Sequence, residues 1–322
     1  MPTPSSNFRP TDNRLVLDLP PLHTSPSYPL LHATLTYFTP HLSSWDPTAL
    51  PPPTPPPNFS KWLLRLITSP PSNLTPDDTD TLQTLASSIL SSLCGRACAP
   101  PQSRTFKITA DVNITLHEPT LTGDSLGHKT WGSAYTLARR LPWLQESGLV
   151  VDTSTVLELG AGTGLVGIAA AKVWPEANRV VVTDMEEIVD NLGRNVGLNG
   201  GAVEVSVLNW TAVEERWRGC AGTVLVADPI YDKEHPALVV GAVEVVMQRG
   251  REARCVVEMP VREGYAGERE EFRRRMEGVG LRVLREGSEG VRDDWGNGEE
   301  DGVVWWSVWA WGEGVVEVGM GV

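Results

Sequence analysis

Thr155-Val156-Leu157-Glu158-Leu159-Gly160-Ala161-Gly162-Thr163-Gly164 is the stretch on which the fold turns. Its first five residues have the apolar, β-branched character of a buried strand. Three glycines follow within five positions, and from Gly164 to Trp174 apolar residues recur at helical spacing. Glycine lets the backbone turn sharply and approach a ligand that any Cβ would block. In open α/β sheets, ligands sit beyond the carboxyl ends of the strands at the point where strand order reverses. Twenty residues after Gly164 the next strand ends at Asp184, whose carboxylate can accept hydrogen bonds from both hydroxyls of a ribose. Strand, glycine loop, helix and acidic strand end together predict a nucleoside-cofactor site.

Outward from this unit, strands and helices alternate. Strands are expected at Thr155–Leu159, Arg179–Thr183, Val203–Leu208, Thr223–Asp228, Ala253–Glu258, Leu281–Arg285 and Val303–Trp311. Helices are expected at Gly132–Leu144, Gly164–Trp174, Glu186–Leu198, Pro236–Gln248 and Gly267–Glu277. Regular βα alternation predicts an α/β fold, a doubly wound, seven-stranded and mostly parallel sheet. The last two strands have no helix between them and predict an antiparallel ending. Phe106–Leu116 alternates in polarity and reads as a further strand or hairpin.

Before this region the composition changes. Twenty of the 26 prolines lie at or before Pro101, and 29 of the 30 glycines lie at or after Gly123. Two domains are therefore expected: 1–104, a proline-rich extension with short helices, and 105–322, the α/β domain. Pro51–Pro57 lacks the amide donors of helix or sheet and reads as an extended linker. Residues 59–95 read as one or two helices packing on the larger domain, and Leu30–Phe38 as a strand or short helix.

The choice of cofactor rests on more than the glycines, because Gly162–Gly167 also fits the dinucleotide fingerprint. Against a dinucleotide stands Glu158, a carboxylate at the strand end that would repel a pyrophosphate and suit a cationic amino-acid end. The run from Leu157 to Gly164 resembles the first motif of the seven-strand S-adenosylmethionine-dependent methyltransferases. Leu208-Asn209-Trp210 closes the third strand, where that superfamily holds the adenine. There Asn209 could bond the exocyclic amine, Trp210 pack on one ring face and Met185 cover the other. Trp131, ahead of a helix that should lie over the cofactor, is a further candidate contact.

The fourth strand ends Ala227-Asp228-Pro229-Ile230-Tyr231, the position facing the methyl group in that superfamily. Transfer from a sulfonium needs a neutral amine in line at ~3 Å, so positioning supplies most of the catalysis. Asp228 can aim such an amine, and Tyr231 can wall its channel and contact its charge. The Asp-x-x-Tyr ending, the glycine loop and Lys129-Thr130-Trp131-Gly132-Ser133 resemble the seven-strand protein-lysine methyltransferases. Ile114–Pro119, Leu121–Gly132 and Trp305–Trp309 are similar to the fungal branch acting on translation elongation factor 2. The resemblance implies a cytoplasmic monomer methylating one lysine of that factor. It implies cofactor contacts at Trp131, Gly160, Ala161, Gly162, Asp184, Trp210 and Ala227. Asn209 stands where many relatives have an acidic residue. Alternatives are a methyltransferase for another protein or small-molecule amine, or a catalytically idle scaffold that binds the cofactor and a partner.

Charge and composition exclude other classes. A net charge of −13 argues against binding along a phosphate backbone. Leu238–Met247, the best apolar run, is too short for a membrane span and contains Glu244. Cys94 and Cys98 are four apart while Cys220 and Cys255 stand alone, so no metal is expected. His117, His128 and His235 could each be imagined as a base, but transfer to an amine needs little such help and they read as surface or capping residues. The acidic stretch from Asp293 to Asp301 reads either as a solubilising loop or as an attractor for a basic surface.

Overall fold

The computed structural model describes residues 19–39, 55–93, 101–120, 126–292 and 301–312. Pro51–Thr54 of the linker, Cys94, Cys98, the stretch Leu121–Ser125 and the acidic 293–300 loop lie outside them. The described residues form two compact units that meet in sequence at Pro100 and Pro101.

The first unit is helical: α1 (Tyr28–Phe38), α2 (Phe59–Thr68) and α3 (Pro76–Leu93). Leu30–Phe38, open between strand and helix, is helical, with Pro29 in the first turn where its missing N–H costs nothing. In α2, Phe59, Trp62, Leu63 and Leu66 fall on one stripe and are all buried. Helix α3 opens with Asp77 and Asp78, favourable at the positive end of the helix dipole. Thr75 Oγ1 accepts the Asp78 N–H there at 3.1 Å. Within this unit, Leu31, Leu35, Leu63, Leu66 and Leu82 are wholly buried in one cluster.

The second unit opens with a hairpin of β1 (Gln102–Lys107) and β2 (Asn113–Glu118), paired in register from Gln102 opposite Glu118. A domain boundary at 104 would cut β1, so the boundary belongs before Gln102. Next come α4 (Gly132–Glu146), β3 (Thr155–Leu159), α5 (Leu165–Val173), β4 (Arg179–Asp184) and α6 (Glu186–Leu198). After these follow β5 (Glu204–Val207), β6 (Thr223–Ala227), α7 (His235–Val246), β7 (Arg254–Pro260), α8 (Ala266–Gly278), β8 (Leu281–Arg292) and β9 (Asp301–Trp311). The seven-stranded sheet runs β5-β4-β3-β6-β7-β9-β8. Only β9 is antiparallel to its neighbours, inserted between β7 and β8. This is the expected α/β sheet with its antiparallel ending, and strand order reverses between β3 and β6.

Each face of the sheet buries its own cluster. Val156, Val182, Leu225, Val256 and Val308 meet α4 and α5 on one side, and Leu157, Val224, Val226 and Trp309 meet α7 and α8 on the other. Alternation along β9 divides its tryptophans the same way, Trp306 on the first face and Trp305, Trp309 and Trp311 on the second.

A ladder of asparagines ties the hairpin to the sheet. Asn195 and Asn199 lie four apart on α6 and so share a helix face. Asn195 accepts the His117 N–H at 2.7 Å and donates to His117 O at 3.1 Å. Asn199 does the same for Thr115, at 3.1 and 2.8 Å. The outer edge of β2 is thereby satisfied by side chains instead of a further strand. Asn195 Nδ2 also donates to Thr163 O at 3.0 Å, so the hairpin bears on the glycine loop.

Candidate active site

A cavity of about 490 Å³ opens over the carboxyl ends of β3, β4 and β6. Trp131, Glu158, Gly160, Ala161, Gly162, Asp184, Met185, Asn209, Trp210, Ala227, Asp228 and Tyr231 all line it. The tips of four strands and the lead-in to α4 therefore converge on one space of the size that small-molecule ligands occupy.

The glycine loop is built tightly. Gly160, Gly162 and Gly164 all have positive φ, at 66°, 56° and 88°. A Cβ on Gly160 would come within 2.8 Å of the Trp210 ring, and one on Gly162 within 3.0 Å of Gly127 O. Above the loop, Thr130 Oγ1 lies 2.8 Å from Thr163 Oγ1 and the Thr130 N–H donates to buried Glu118 at 3.0 Å. The segment before α4 is thus fixed over the loop, and Trp131 Nε1 donates to Leu126 O at 3.2 Å.

Asp184 ends β4 with its carboxylate held between two amides. Oδ2 accepts the Gly162 N–H and Oδ1 the Met185 N–H, each at 2.7 Å. Burial pushes its carboxyl up, and the two backbone donors pull it back. Each oxygen has a second lone pair, so the group can still accept from hydroxyls in the cavity. Trp210, Leu208 and the half-exposed Met185 supply apolar surface beside it.

Two of the lining residues are also engaged by the protein itself. Glu158 is buried, its Oε2 accepts the Gly167 N–H of α5 at 2.7 Å, and burial pushes its carboxyl up to about 8. It satisfies an orphan amide at the start of a helix, and burial disfavours its charged form. Asn209 Oδ1 accepts from both the N–H and the hydroxyl of Thr211, at 2.9 and 2.8 Å. Both bonds close a turn of the chain on that oxygen.

At the other end, Asp228 follows β6 with φ 49°, a left-handed conformation that asparagine and aspartate tolerate best among non-glycine residues. Such a residue stores roughly 1–3 kcal/mol of strain. Its N–H donates to Glu258 O at 2.8 Å, and Arg262 donates to its Oδ2 at 3.1 Å. Tyr231 is 46% exposed at the cavity mouth, and its carbonyl accepts the Tyr265 hydroxyl at 3.1 Å. Burial, then the charges of Asp184 and Asp228, push its phenol up, so it is a neutral wall.

Sequence reading missed Arg262 and His235 as parts of this site. His235, expected only to cap or face solvent, stands edge-on to Tyr231 with ring centroids 4.1 Å apart and edge-on to Trp210 at 6.0 Å. Burial lowers its pKa and favours a neutral imidazole. Arg262 sits beyond β7 in no motif, and only the pairing of β6 with β7 brings it to Asp228.

S-adenosylmethionine fits these residues by the chemistry of the donor set. Apart from Glu158, whose charged form burial disfavours, the charged side chains lining the cavity are Asp184, Glu187 and Asp228 against Lys129 and Arg262. That balance suits a cationic sulfonium better than an anionic pyrophosphate. Asp184 matches a ribose, and Trp210 and Met185 match a flat aromatic base.

Comparison with known proteins agrees with this geometry. Residues 109–276 match the family model described as lysine methyltransferase. The chain is 38% identical over 234 residues to protein-lysine N-methyltransferase EFM2 of Saccharomyces cerevisiae, covering 65% of this chain and 55% of that protein. It is 34% identical over 208 residues to protein-lysine N-methyltransferase rrg1 of Schizosaccharomyces pombe, covering 60% and 63%. With protein-lysine N-methyltransferase EEF2KMT of Homo sapiens it shares 31% over 106 residues, 32% of this chain and 31% of that one. The chain thus spans less than two thirds of the length of these relatives.

Proposed function

The chain belongs to the lysine methyltransferase family, and on that premise we propose that it transfers a methyl group from S-adenosylmethionine to a protein lysine. The proposed substrate is translation elongation factor 2, on the likeness of Ile114–Pro119 and Trp305–Trp309 to the branch that modifies it. The observation that carries the reading is the convergence of a ribose acceptor, an aromatic wall and an Asp-x-x-Tyr strand end on one cavity.

When bound, the cofactor would supply an electrophilic methyl whose C–S bond breaks as the C–N bond forms, the sulfur keeping the electron pair as a neutral thioether. In this reading Asp184 takes the ribose hydroxyls, and Gly160, Ala161 and Gly162 bring backbone close to the cofactor's chain. Trp210 and Met185 flank the base, and Trp131 closes the site from the α4 side. Asp228 receives and aims the lysine nitrogen, and Tyr231 borders its path. A lysine side chain titrates near ~10.4 in water, so the site must favour the neutral amine. Partial burial and the adjacent sulfonium both do so. Little general-base help is then required, because the proton leaves to solvent before transfer.

The test uses the purified chain, methyl-labelled S-adenosylmethionine and elongation factor 2 from cells lacking this protein. Mass spectrometry of the labelled factor should give methylation at one lysine, and Asp228→Ala should lower kcat at least a hundredfold. A label on nucleic acid or lipid, or undiminished transfer by Asp228→Ala, would reject the proposal.

A further inference from the structure

Asp228 does not stand alone at the amine end. Arg262, the second residue after β7, donates from Nη2 to Asp228 Oδ2 at 3.1 Å, with the carboxylate side chain 8% and the guanidinium 38% exposed. The same guanidinium lies 5.8 Å from the centre of the Trp131 ring. Its own backbone is tied down, Arg262 O accepting from Arg269 Nη1 at 2.7 Å. From the same turn, the Tyr265 hydroxyl holds Tyr231 O at 3.1 Å. The exit of β7 therefore grips both members of the Asp-x-x-Tyr ending.

The surrounding charge gives this grip a chemical meaning. Asp184 and Glu187 from the β4–α6 side and Asp232 from the loop ahead of α7 all bear on Tyr231, as Asp228 does. Glu258 of β7 is engaged by Arg140 at 3.1 Å, and His235 is held towards neutral. Lys129 lines the cavity from the α4 side, fully buried. An uncompensated carboxylate at Asp228 would bind an arriving ammonium firmly and keep it protonated. A protonated amine has no lone pair to give. A fixed cation against Asp228 Oδ2 removes most of that bias while leaving the carboxylate to orient the nitrogen.

Resting on the reading of this cavity as a lysine methyltransferase site, we propose that Arg262 is a positioning residue. It holds Asp228 in its left-handed turn and offsets its charge, so that the substrate amine is received neutral. A guanidinium suits both tasks, because its planar fork fixes direction as well as charge.

Two measurements test this independently. In the first, which needs no substrate, the Asp228 carboxyl carbon is titrated by 13C NMR, with Asp228→Asn assigning the signal. Arg262→Gln should raise the midpoint by about one unit, as loss of an adjacent cation does. In the second, kcat and KM for elongation factor 2 are followed against pH. Arg262→Gln should move the acidic limb of kcat up by about one unit and lower kcat about tenfold at neutral pH, with KM unchanged or smaller. Arg262→Lys should keep the limb in place and lower kcat only severalfold. Affinity for S-adenosylhomocysteine should stay within twofold in both variants. A loss of melting temperature with neither the midpoint nor the limb moved, or a raised KM at constant kcat, would overturn the proposal. If the unaltered chain fails to methylate elongation factor 2, the substrate assignment falls while the NMR titration still decides the role of Arg262.

Discussion

Asp184 carries the binding end of the site with two amides on its carboxylate, from Gly162 and Met185. Replacement by asparagine keeps the shape but turns one oxygen into a donor facing a backbone N–H. Hydrogen bonds to charged groups contribute about 1.5–3 kcal/mol each. Asp184→Asn should therefore weaken S-adenosylhomocysteine binding between about tenfold and a hundredfold, as read by calorimetry. Unchanged affinity would remove Asp184 from the ribose. This residue was legible in the sequence because its place follows from chain geometry: a glycine turn, one helix, one strand. Glu158 shows the opposite case. Its type and position are visible in the sequence, but whether its carboxyl faces ligand or the amide of Gly167 depends on how α5 lies on the sheet.

At the scale of elements, that same contact links β3 to the start of α5. The Glu158 carboxyl moves from 4.5 to about 8 on burial, so the folded state holds its proton more tightly than the unfolded chain does. Its contribution to stability is full below pH ~4.5 and is lost as pH rises towards 8. Glu258, pushed up to about 7 by burial against the pull of Arg140, adds a decline over the lower part of that window. Glu158→Gln preserves an uncharged acceptor for the Gly167 N–H and cannot ionise. The variant should show a shallower fall in melting temperature between pH 4.5 and 8, leaving the portion due to Glu258. An undiminished slope would mean that Glu158 is already charged in the folded protein. The elements themselves were largely readable from apolar periodicity, β3, α5, β6 and α7 among them. Helix α1 was left open because eleven residues carry too few turns to separate helix from strand. The asparagine ladder of α6 escaped notice, since its partner β2 lies 78 residues away and no local pattern announces it.

Over the whole molecule, a helical first unit and an α/β second unit each bury a core of their own. The seven-stranded α/β sheet and its antiparallel ending followed from counting strands and helices. What the sequence could not supply was the meeting of Arg262 with Asp228 and Trp131. The residues lining the cavity run from Leu126 to Arg262, entirely within the second unit. No helix among the described residues is long and apolar enough to cross a membrane.

The central claim is that this cavity holds a sulfonium nucleoside and not a dinucleotide, and thermal unfolding with each candidate ligand tests it most directly. A ligand that binds only the folded chain stabilises by RT ln(1 + [L]/Kd), about 2.7 kcal/mol at a hundredfold excess over Kd. S-adenosylhomocysteine should raise the melting temperature by several degrees in a concentration-dependent way, and NAD should leave it unchanged. Stabilisation by NAD with none from S-adenosylhomocysteine would contradict the account.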